Sequence, residues 1–278
     1  MIILIIGSGA REVAISRKLI SDNKNIEIHN ISTYKNVDMN IIAKEIIIID
    51  DYTLESLGKS IDITYNYKYV IIGPEKPLES GYADFFEELN IPCIGPTHDL
   101  ARLETSKIFC RNFLHENGLG YILPEYVLLE NNDRSGISKL FDNFIKRNIE
   151  IVIKKDGLCS GKGVMVQGND FENPYDIIDS LINSNSKVVI EEKLKGDEFS
   201  VFSLCDGNSG IKHFPPIMDY KRLNENNLGP NTGGMGCLID KNNSLPFLND
   251  DDITLAQCIN TKIIHELNKN GKALDKPI

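Results

Sequence analysis

The chain lacks the features that mark several large classes of protein. Its six cysteines are scattered and never form a C-x-x-C pair, so neither a disulfide framework nor a zinc site is indicated. No apolar run approaches the ~18 residues of a membrane span, and the apolar start is too short for a signal peptide. The formal net charge of −10 disfavours a general nucleic-acid surface. These absences predict a cytoplasmic globular protein with no membrane or nucleic-acid partner.

The order of apolar segments indicates a chain of two domains. Of the 278 residues, 41% are hydrophobic and 25% charged, as is typical of globular proteins. Across residues 1–100, strand patterns alternate with helical patterns, which predicts an α/β domain with a doubly wound parallel sheet. The predicted strands are 2–6, 26–31, 46–49, 69–72 and 92–94, and the predicted helices are 11–20 and 78–89. Ligands bind at the carboxyl ends of such strands, where Gly73 lies.

The pattern of apolar segments in residues 101–278 predicts a second domain, of the α+β class. A helix starts near Asp99 and continues past Lys107 to Phe113. Residues 119–192 are expected to form a small lid subdomain, and residues 193–278 an incomplete larger subdomain. The lid contains predicted strands at 126–129, 150–155, 164–167 and 188–192 and predicted helices at 137–145 and 175–182. Residues 215–236 predict a long irregular stretch, which inside a compact domain is usually functional.

A lysine and a glycine-rich loop stand together at residues 151–164, I-V-I-K-K-D-G-L-C-S-G-K-G-V. Backbone N–H groups of such a loop can surround phosphate oxygens, and Lys154 and Lys162 add positive charge. No helix with Ser or Thr follows Lys162, so this is not a Walker loop and is expected to close as a lid. The alternative is a plain hairpin turn. Lys154 disfavours it, because a lysine in a buried strand needs an anion.

A second glycine-rich motif follows two cations. Lys221 and Arg222 precede residues 229–236, G-P-N-T-G-G-M-G, which contain four glycines. Adjacent cations that face a glycine-lined concavity would stabilise a transferring phosphoryl group and a carboxylate. The two motifs together predict a site for a nucleotide polyphosphate.

The amino-terminal turn, residues 7–12, is a weaker signal. G-S-G-A-R-E resembles the opening of a dinucleotide-binding fold, but Glu12 replaces the third glycine. The helix N-terminus still offers N–H groups for a substrate phosphate, with Arg11 assisting. A tight turn without a ligand is the alternative.

Paired acids end the predicted strand 188–192. Glu191 and Glu192 stand there and Glu198 follows, which suits a carboxylate on ribose hydroxyls beside a main-chain hinge for adenine. Paired acids more often form a solvated face. The five histidines show no metal-ligand spacing, so no residue is assigned to a metal.

Taken in order along the chain, these motifs resemble the glycinamide ribonucleotide synthetase family (phosphoribosylamine–glycine ligase) of ATP-grasp enzymes. The resemblance rests on G-S-G-A-R-E, G-P-E-K-P-L at 73–78, G-P-T at 95–97, L-E-T-S-K at 103–107 and the loop at 152–164. It continues through V-I-E-E-K-L-K-G-D-E-F-S at 189–200, D-Y-K-R at 219–222 and G-P-N-T-G-G-M-G. It implies a pre-ATP-grasp domain followed by an ATP-grasp domain. The implied reaction is ATP-dependent ligation of glycine to 5-phosphoribosylamine through glycyl phosphate.

The resemblance also implies a role for particular residues. ATP would be bound by Lys107, Lys154, Gly161, Lys162, Gly163, Glu191, Glu192, Leu194 and Glu198. Catalysis would fall to Lys162, Lys221 and Arg222. Glycine and 5-phosphoribosylamine would be framed by Gly9, Arg11, Gly73, Pro74, Glu75, Asp219, Asn231, Thr232, Gly233, Gly234, Met235 and Gly236.

Some family features differ or are expected to be missing. The family reads G-G-R-E-H-A where this chain has Ala10-Arg11-Glu12-Val13-Ala14. It reads D-H-K-R where this chain has Tyr220 in the second position. The P-G-N loop of the family is absent around residues 33–36. The chain resembles only about the first two-thirds of the family's length. The resemblance implies a Mg²⁺ or Mn²⁺ ion, but the E-x-N residues that bind this metal in the family are absent from this chain. The ATP-grasp domain is therefore expected to be truncated, with a second chain as a possible completion.

Two other functions remain open at this point. One is a sister ATP-grasp carboxylate–amine ligase with another acceptor, against which the D-x-K-R and G-P-N-T-G-G-M-G motifs argue. The other is a truncated or degenerate nucleotide-binding protein without ligase activity.

Overall fold

Two compact units make up the structure, a computed structural model that describes residues 1–129, 134–159, 163–183, 186–206 and 210–269. One unit is built mainly on residues 1–102, and the other on residues 103–203 and 213–266. All six cysteines are free thiols. No helix within the described ranges is long and apolar enough to cross a membrane.

The first unit is a five-stranded parallel sheet with helices between the strands. Its strands are β1 (Ile2–Ile6), β2 (Glu27–Ser32), β3 (Glu45–Ile48), β4 (Tyr69–Ile72) and β5 (Cys93–Ile94). Its helices are α1 (Ala10–Asp22), α2 (Val37–Ile42), α3 (Leu54–Ser60), α4 (Glu75–Glu79) and α5 (Tyr82–Glu88). The strand order is β3-β2-β1-β4-β5, and every neighbouring pair is parallel.

Side chains of β1 are buried on both faces of this sheet. Leu4 and Ile6 belong to one apolar cluster, whereas Ile3 and Ile5 belong to another that includes Val13 of α1. A continuous apolar strand is buried in this way when helices cover both faces of a parallel sheet. The predicted doubly wound α/β fold is confirmed.

The second unit contains an antiparallel sheet and a long helix. After α6 (His98–Thr105), it comprises α7 (Lys107–Glu116), β6 (Tyr126–Leu129), α8 (Arg134–Lys146), β7 (Ile151–Lys155), β8 (Val164–Val166), α9 (Ile178–Asn183) and β9 (Val188–Glu192). Strands β10 (Ser203–Cys205) and β11 (Ile211–His213) follow and pair with each other, and residues 204–212 group with the first unit. The second unit continues with β12 (Met218–Asn224), β13 (Leu228–Leu238) and α10 (Asp250–Lys269). The order β6-β9-β7-β8 places β9 and β7 in the middle of the sheet.

Two helices predicted as continuous are each broken in the structure. Gly81 separates α4 from α5 with a φ of +82°, a left-handed conformation that suits glycine. Ser106 is extended between α6 and α7, and its hydroxyl accepts a hydrogen bond from Phe109 N at the start of α7. Apolar periodicity alone does not reveal either break, because a cap interrupts a helix without changing its apolar face.

The prediction of an irregular stretch at 215–236 is wrong. Strands β12 and β13 pair there in antiparallel fashion, with Met218 opposite Leu238 and irregular register near Arg222. Glycine-rich segments have low β propensity, and the main-chain pairing overrides it here. The pairing puts the cations at 221–222 and the glycine-rich motif on neighbouring strands.

Candidate functional site

Lys154 lies on β7 beside a buried carboxylate. Its Nζ is 2.5 Å from Glu191 Oε2. Lys154 is opposite Val189 and Glu191 is opposite Val152, so the two charged residues are diagonal partners on one face of the sheet. The Glu191 side chain is 2% exposed, whereas that of Lys154 is 27% exposed. The anion that a buried lysine requires is therefore supplied by this chain, and part of the lysine remains open to a ligand.

Arg111 completes this cluster and was missed at the sequence level. Its Nε donates to Glu191 Oε1 at 2.7 Å, and its Nη2 donates to the same oxygen. The Arg111 side chain is 15% exposed. The spacing from Lys107 to Arg111, four residues on one helix, puts both cations on one face of α7 and could have drawn attention to it.

The glycine-rich loop is tied at its base to the start of α7. Lys107 Nζ donates to Gly157 O at 2.9 Å. The Asp156 carboxylate accepts hydrogen bonds from Ser106 Oγ at 3.1 Å and from Ile108 N at 3.1 Å. Both contacts attach the loop to a helix N-terminus, where a negative group is favourable.

The loop itself connects two antiparallel strands, as predicted. Gly161 and Lys162 lie outside the described residues. Gly163 closes the hairpin, since its carbonyl accepts a hydrogen bond from Lys155 N at 2.8 Å. Lys107, Lys154 and the described ends of the loop are thus brought together in the second unit.

At the predicted adenine hinge, two main-chain N–H groups and one carboxylate are already bonded within the protein. The main-chain N–H of Glu192 donates to Glu125 O and that of Lys193 to Glu150 O, both at 2.8 Å. The Leu194 side chain is exposed. The Glu191 carboxylate holds two cations, so any contact of this residue with a base would have to come from its main chain.

Lys221 and Arg222 contact different partners. Lys221 Nζ lies 2.7 Å from Glu198 Oε1, and this hydrogen bond raises the pKa of the Lys221 amine. Arg222 Nη1 donates to Gly229 O at 2.8 Å. The Thr232 hydroxyl donates to Lys221 O at 2.9 Å and accepts from Gly234 N at 3.1 Å. The two cations thus contact different groups, Lys221 a carboxylate and Arg222 a main-chain carbonyl oxygen.

The remaining residues of this motif lie on the same hairpin. Asp219 Oδ2 is 3.6 Å from Lys221 Nζ. Asn231, Gly233, Met235 and Gly236 are exposed along β13.

In the first unit, the glycine turn and the loop after β4 meet. Arg11 Nη1 donates to Gly73 O at 3.0 Å and lies 3.4 Å from Glu75 Oε1. The buried Glu12 carboxylate accepts a hydrogen bond from Gly9 N at 2.5 Å. Gly9, Arg11 and residues 73–75 are therefore gathered together, but Glu12 already occupies one N–H that was predicted to serve a ligand.

The close approach of Glu12 to Gly73 gives a testable prediction. A Cβ added at Gly73 would lie 1.9 Å from Glu12 Oε1, so Gly73→Ala must displace the buried carboxylate. We expect the free energy of unfolding in urea to fall by about 1–3 kcal/mol.

The matched control is Gly58→Ala in α3, where an added Cβ meets nothing within 4 Å. Alanine is the better helix former by about 1 kcal/mol, so this variant should be no less stable than the wild type. Equal effects of the two substitutions would contradict the packing described for Glu12.

Family models match the two parts of the chain in succession. The model described as the phosphoribosylglycinamide synthetase N domain matches residues 1–104, and that of the phosphoribosylglycinamide synthetase ATP-grasp (A) domain matches residues 105–275. The chain belongs to the phosphoribosylglycinamide synthetase family. Its fold is accordingly a parallel-sheet N-terminal domain followed by an ATP-grasp domain.

Individual relatives of the chain agree with this family assignment. The phosphoribosylamine–glycine ligases of Methanocorpusculum labreanum and Pyrococcus horikoshii are each 32% identical to it over 98% of the chain. The matched regions cover 61% and 60% of those proteins. The chain thus spans about 60% of the length of these curated relatives.

Solved structures that resemble this chain also support the family assignment and the fold. The phosphoribosylamine–glycine ligase of Thermotoga maritima superimposes with a TM-score of 0.70 at 25% identity, covering 98% of this chain and 62% of that one. An N5-carboxyaminoimidazole ribonucleotide synthetase, solved as an ADP complex, gives a TM-score of 0.65 over 96% of this chain and 63% of that one. At 18% identity, this second likeness shows the fold alone.

Two glutamates of the predicted nucleotide site are engaged with cations of this chain. Glu191 binds Arg111 and Lys154, and Glu198 binds Lys221. In the ranges that the structure covers, no three His, Cys, Asp or Glu side chains are grouped so that they could hold a metal ion. These residues as they stand do not fit a magnesium site.

Proposed function

We propose that this chain catalyses ATP-dependent ligation of glycine to 5-phosphoribosylamine, giving glycinamide ribonucleotide, ADP and phosphate. Family membership supports the proposal. The observation that carries it is Lys154, whose amine is held by a buried carboxylate while its side chain is 27% exposed, two residues before a glycine-rich loop. A cation held in this way suits the polyphosphate of a nucleotide better than it suits a structural role alone.

The proposed nucleotide site follows the sheet and its loop. Lys107 and Lys154 contact the phosphates of ATP, with Gly161, Lys162 and Gly163 closing over them. Adenine is held by main-chain groups from Glu192 to Leu194 other than the N–H groups of Glu192 and Lys193, which already donate within the protein. The Glu191 side chain serves instead to position the cations, because its two oxygens are already bonded to Arg111 and Lys154.

Ribose binding is proposed to free a catalytic lysine. Glu198 is the proposed acceptor for the ribose hydroxyls, and it now holds Lys221 in an ion pair in which the two side chains are 75% and 48% exposed. An exposed pair of this kind contributes little and can exchange partners. When the ribose takes Glu198, Lys221 becomes available for the transferring phosphoryl group.

The reaction proceeds in two steps of bond exchange. A glycine carboxylate oxygen attacks the γ-phosphorus of ATP, and the bond to the β-phosphate oxygen breaks to release ADP. The amine of phosphoribosylamine then attacks the acyl carbon, forms the C–N bond, loses a proton and expels phosphate. Lys221 and Arg222 stabilise negative charge on the phosphoryl oxygens, and the chain otherwise acts by positioning.

The acceptor substrates are assigned to two groups of residues. Gly9, Arg11 and residues 73–75 form one, beside the Ser8 hydroxyl, which is buried without a hydrogen-bond partner in the described part of the chain. Asp219 and residues 231–236 form the other.

We assign residues 1–100 to the N-terminal domain and place the enzyme in the cytoplasm. Mg²⁺ enters as its complex with ATP.

The test is ADP release by the purified chain with MgATP, glycine and 5-phosphoribosylamine, each omitted in turn. We expect release only when both co-substrates are present, and little release when L-alanine or another amino acid replaces glycine. Equal activity with another acid would favour a sister ligase. ATP binding without any co-substrate-dependent release would contradict the ligase function and leave nucleotide binding as the activity.

A further inference from the structure

Arg111 is a nearly buried cation for which the proposed reaction gives no direct use. It lies on α7, one helical turn after Lys107, and its side chain is 15% exposed. We propose that Arg111 is a positioning residue that sets Lys154 for the nucleotide phosphates by holding Glu191. This inference rests on the proposed ATP site and adds to it a residue that acts through two others.

The two oxygens of Glu191 are divided between the two cations. Oε1 accepts both hydrogen bonds of the Arg111 guanidinium, from Nε at 2.7 Å and from Nη2. Oε2 is left for Lys154 Nζ at 2.5 Å. A guanidinium that binds through two nitrogens fixes the orientation of the carboxylate, which in turn fixes the position of the lysine amine.

The charges of the three side chains do not cancel. Two cations share one carboxylate, so the cluster keeps one net positive charge. The Lys154 side chain is more exposed than that of Arg111, and Glu191 engages only some of the three donors of its amine. Without Arg111, both oxygens of Glu191 are free to engage the Lys154 amine, which leaves fewer of its donors for a polyphosphate.

A purely structural role for Arg111 predicts a different outcome. If the arginine only stabilised the sheet, its loss would weaken every ligand of the site alike. If it acts through Lys154, its loss affects phosphate groups and leaves the nucleoside portion unchanged. Comparison of ATP with adenosine separates the two, because adenosine contains the base and ribose without the phosphates.

The experiment measures the Kd of ATP and of adenosine by calorimetry for wild type, Arg111→Met, Arg111→Gln and Arg111→Lys. We expect the two neutral variants to weaken ATP about tenfold, with adenosine changed less than about twofold. Arg111→Lys should recover most of the ATP affinity, because a cation on Oε1 is retained. Arg111→Gln can still donate to Glu191, and it carries the test if Arg111→Met does not fold.

A second background tests whether Arg111 works through Lys154. In Lys154→Met, adding Arg111→Gln should leave the ratio of ATP to adenosine affinity unchanged. A further loss there would mean that Arg111 acts on phosphates directly, which overturns the positioning role. The positioning role is also overturned if folded Arg111→Gln loses affinity for ATP and adenosine equally, or if its affinity for both is unchanged. If the wild-type protein binds neither ATP nor adenosine, the proposed ATP site is wrong, and the role of Arg111 is wrong with it.

Discussion

Lys154→Met is expected to weaken ATP binding by about 10- to 100-fold. The substitution removes the amine that the Glu191 carboxylate holds at 2.5 Å, at the entry to the glycine-rich loop. Hydrogen bonds to charged groups contribute about 1.5–3 kcal/mol each, and 1.4 kcal/mol corresponds to a factor of ten in affinity. Methionine keeps the length and the apolar stem of lysine, so the loss reports the charge. Calorimetric titration with ATP measures the effect directly.

The matched control is Lys155→Met, the next residue along β7. Successive side chains of a strand point to opposite faces of the sheet, so Lys155 does not share the face of Glu191. We expect its ATP affinity to remain within about threefold of the wild type. Equal losses in the two variants would mean that general positive charge, rather than the lysine of the cluster, attracts the nucleotide.

Glu191→Ala is expected to lower the free energy of unfolding by about 3–5 kcal/mol. The carboxylate is 2% exposed, and its removal leaves the Arg111 guanidinium without its partner at 15% exposure. Desolvated charge that has lost its counterion is among the most destabilising features a core can contain. Lys154 contributes less to the penalty, since its side chain is more exposed and its amine can turn toward water. Urea denaturation at equilibrium provides the measurement.

The matched control for Glu191→Ala is Glu198→Ala, which also removes a glutamate that forms an ion pair with a lysine. The carboxylate and its partner Lys221 are 75% and 48% exposed, so water screens the interaction. The expected change is below about 1 kcal/mol. If both glutamate variants lost similar stability, the burial described for the cluster of Arg111, Lys154 and Glu191 would be wrong.

The parallel sheet could be predicted from the sequence because its signal is local. Residues 2–6 form a run of apolar side chains that only a strand covered on both faces can bury, and the strand has these bounds. The glycine-rich loop at 156–163 was located for the same reason, since its composition and its flanking strands lie within one short stretch.

The ion-pair partners could not be predicted because they depend on contacts far apart in sequence. Arg111 and Glu191 are separated by 80 residues, and nothing near either of them indicates the other. Paired acids at 191–192 suggested ligand contacts, whereas the sheet turns the first into a buried counterion. Similarly, the strand β13 arises from pairing with β12 and not from the propensity of its glycines.

The most direct test of the ligase function follows one oxygen atom. Glycine labelled with ¹⁸O in its carboxylate is supplied with MgATP and 5-phosphoribosylamine, and the released phosphate is analysed by mass spectrometry. Ligation through glycyl phosphate predicts one ¹⁸O atom in each phosphate, because the oxygen that attacks phosphorus leaves with it. Phosphate without the label would mean that water hydrolyses ATP, and labelled phosphate released without phosphoribosylamine would mean that water hydrolyses glycyl phosphate. Either result would contradict the proposed reaction.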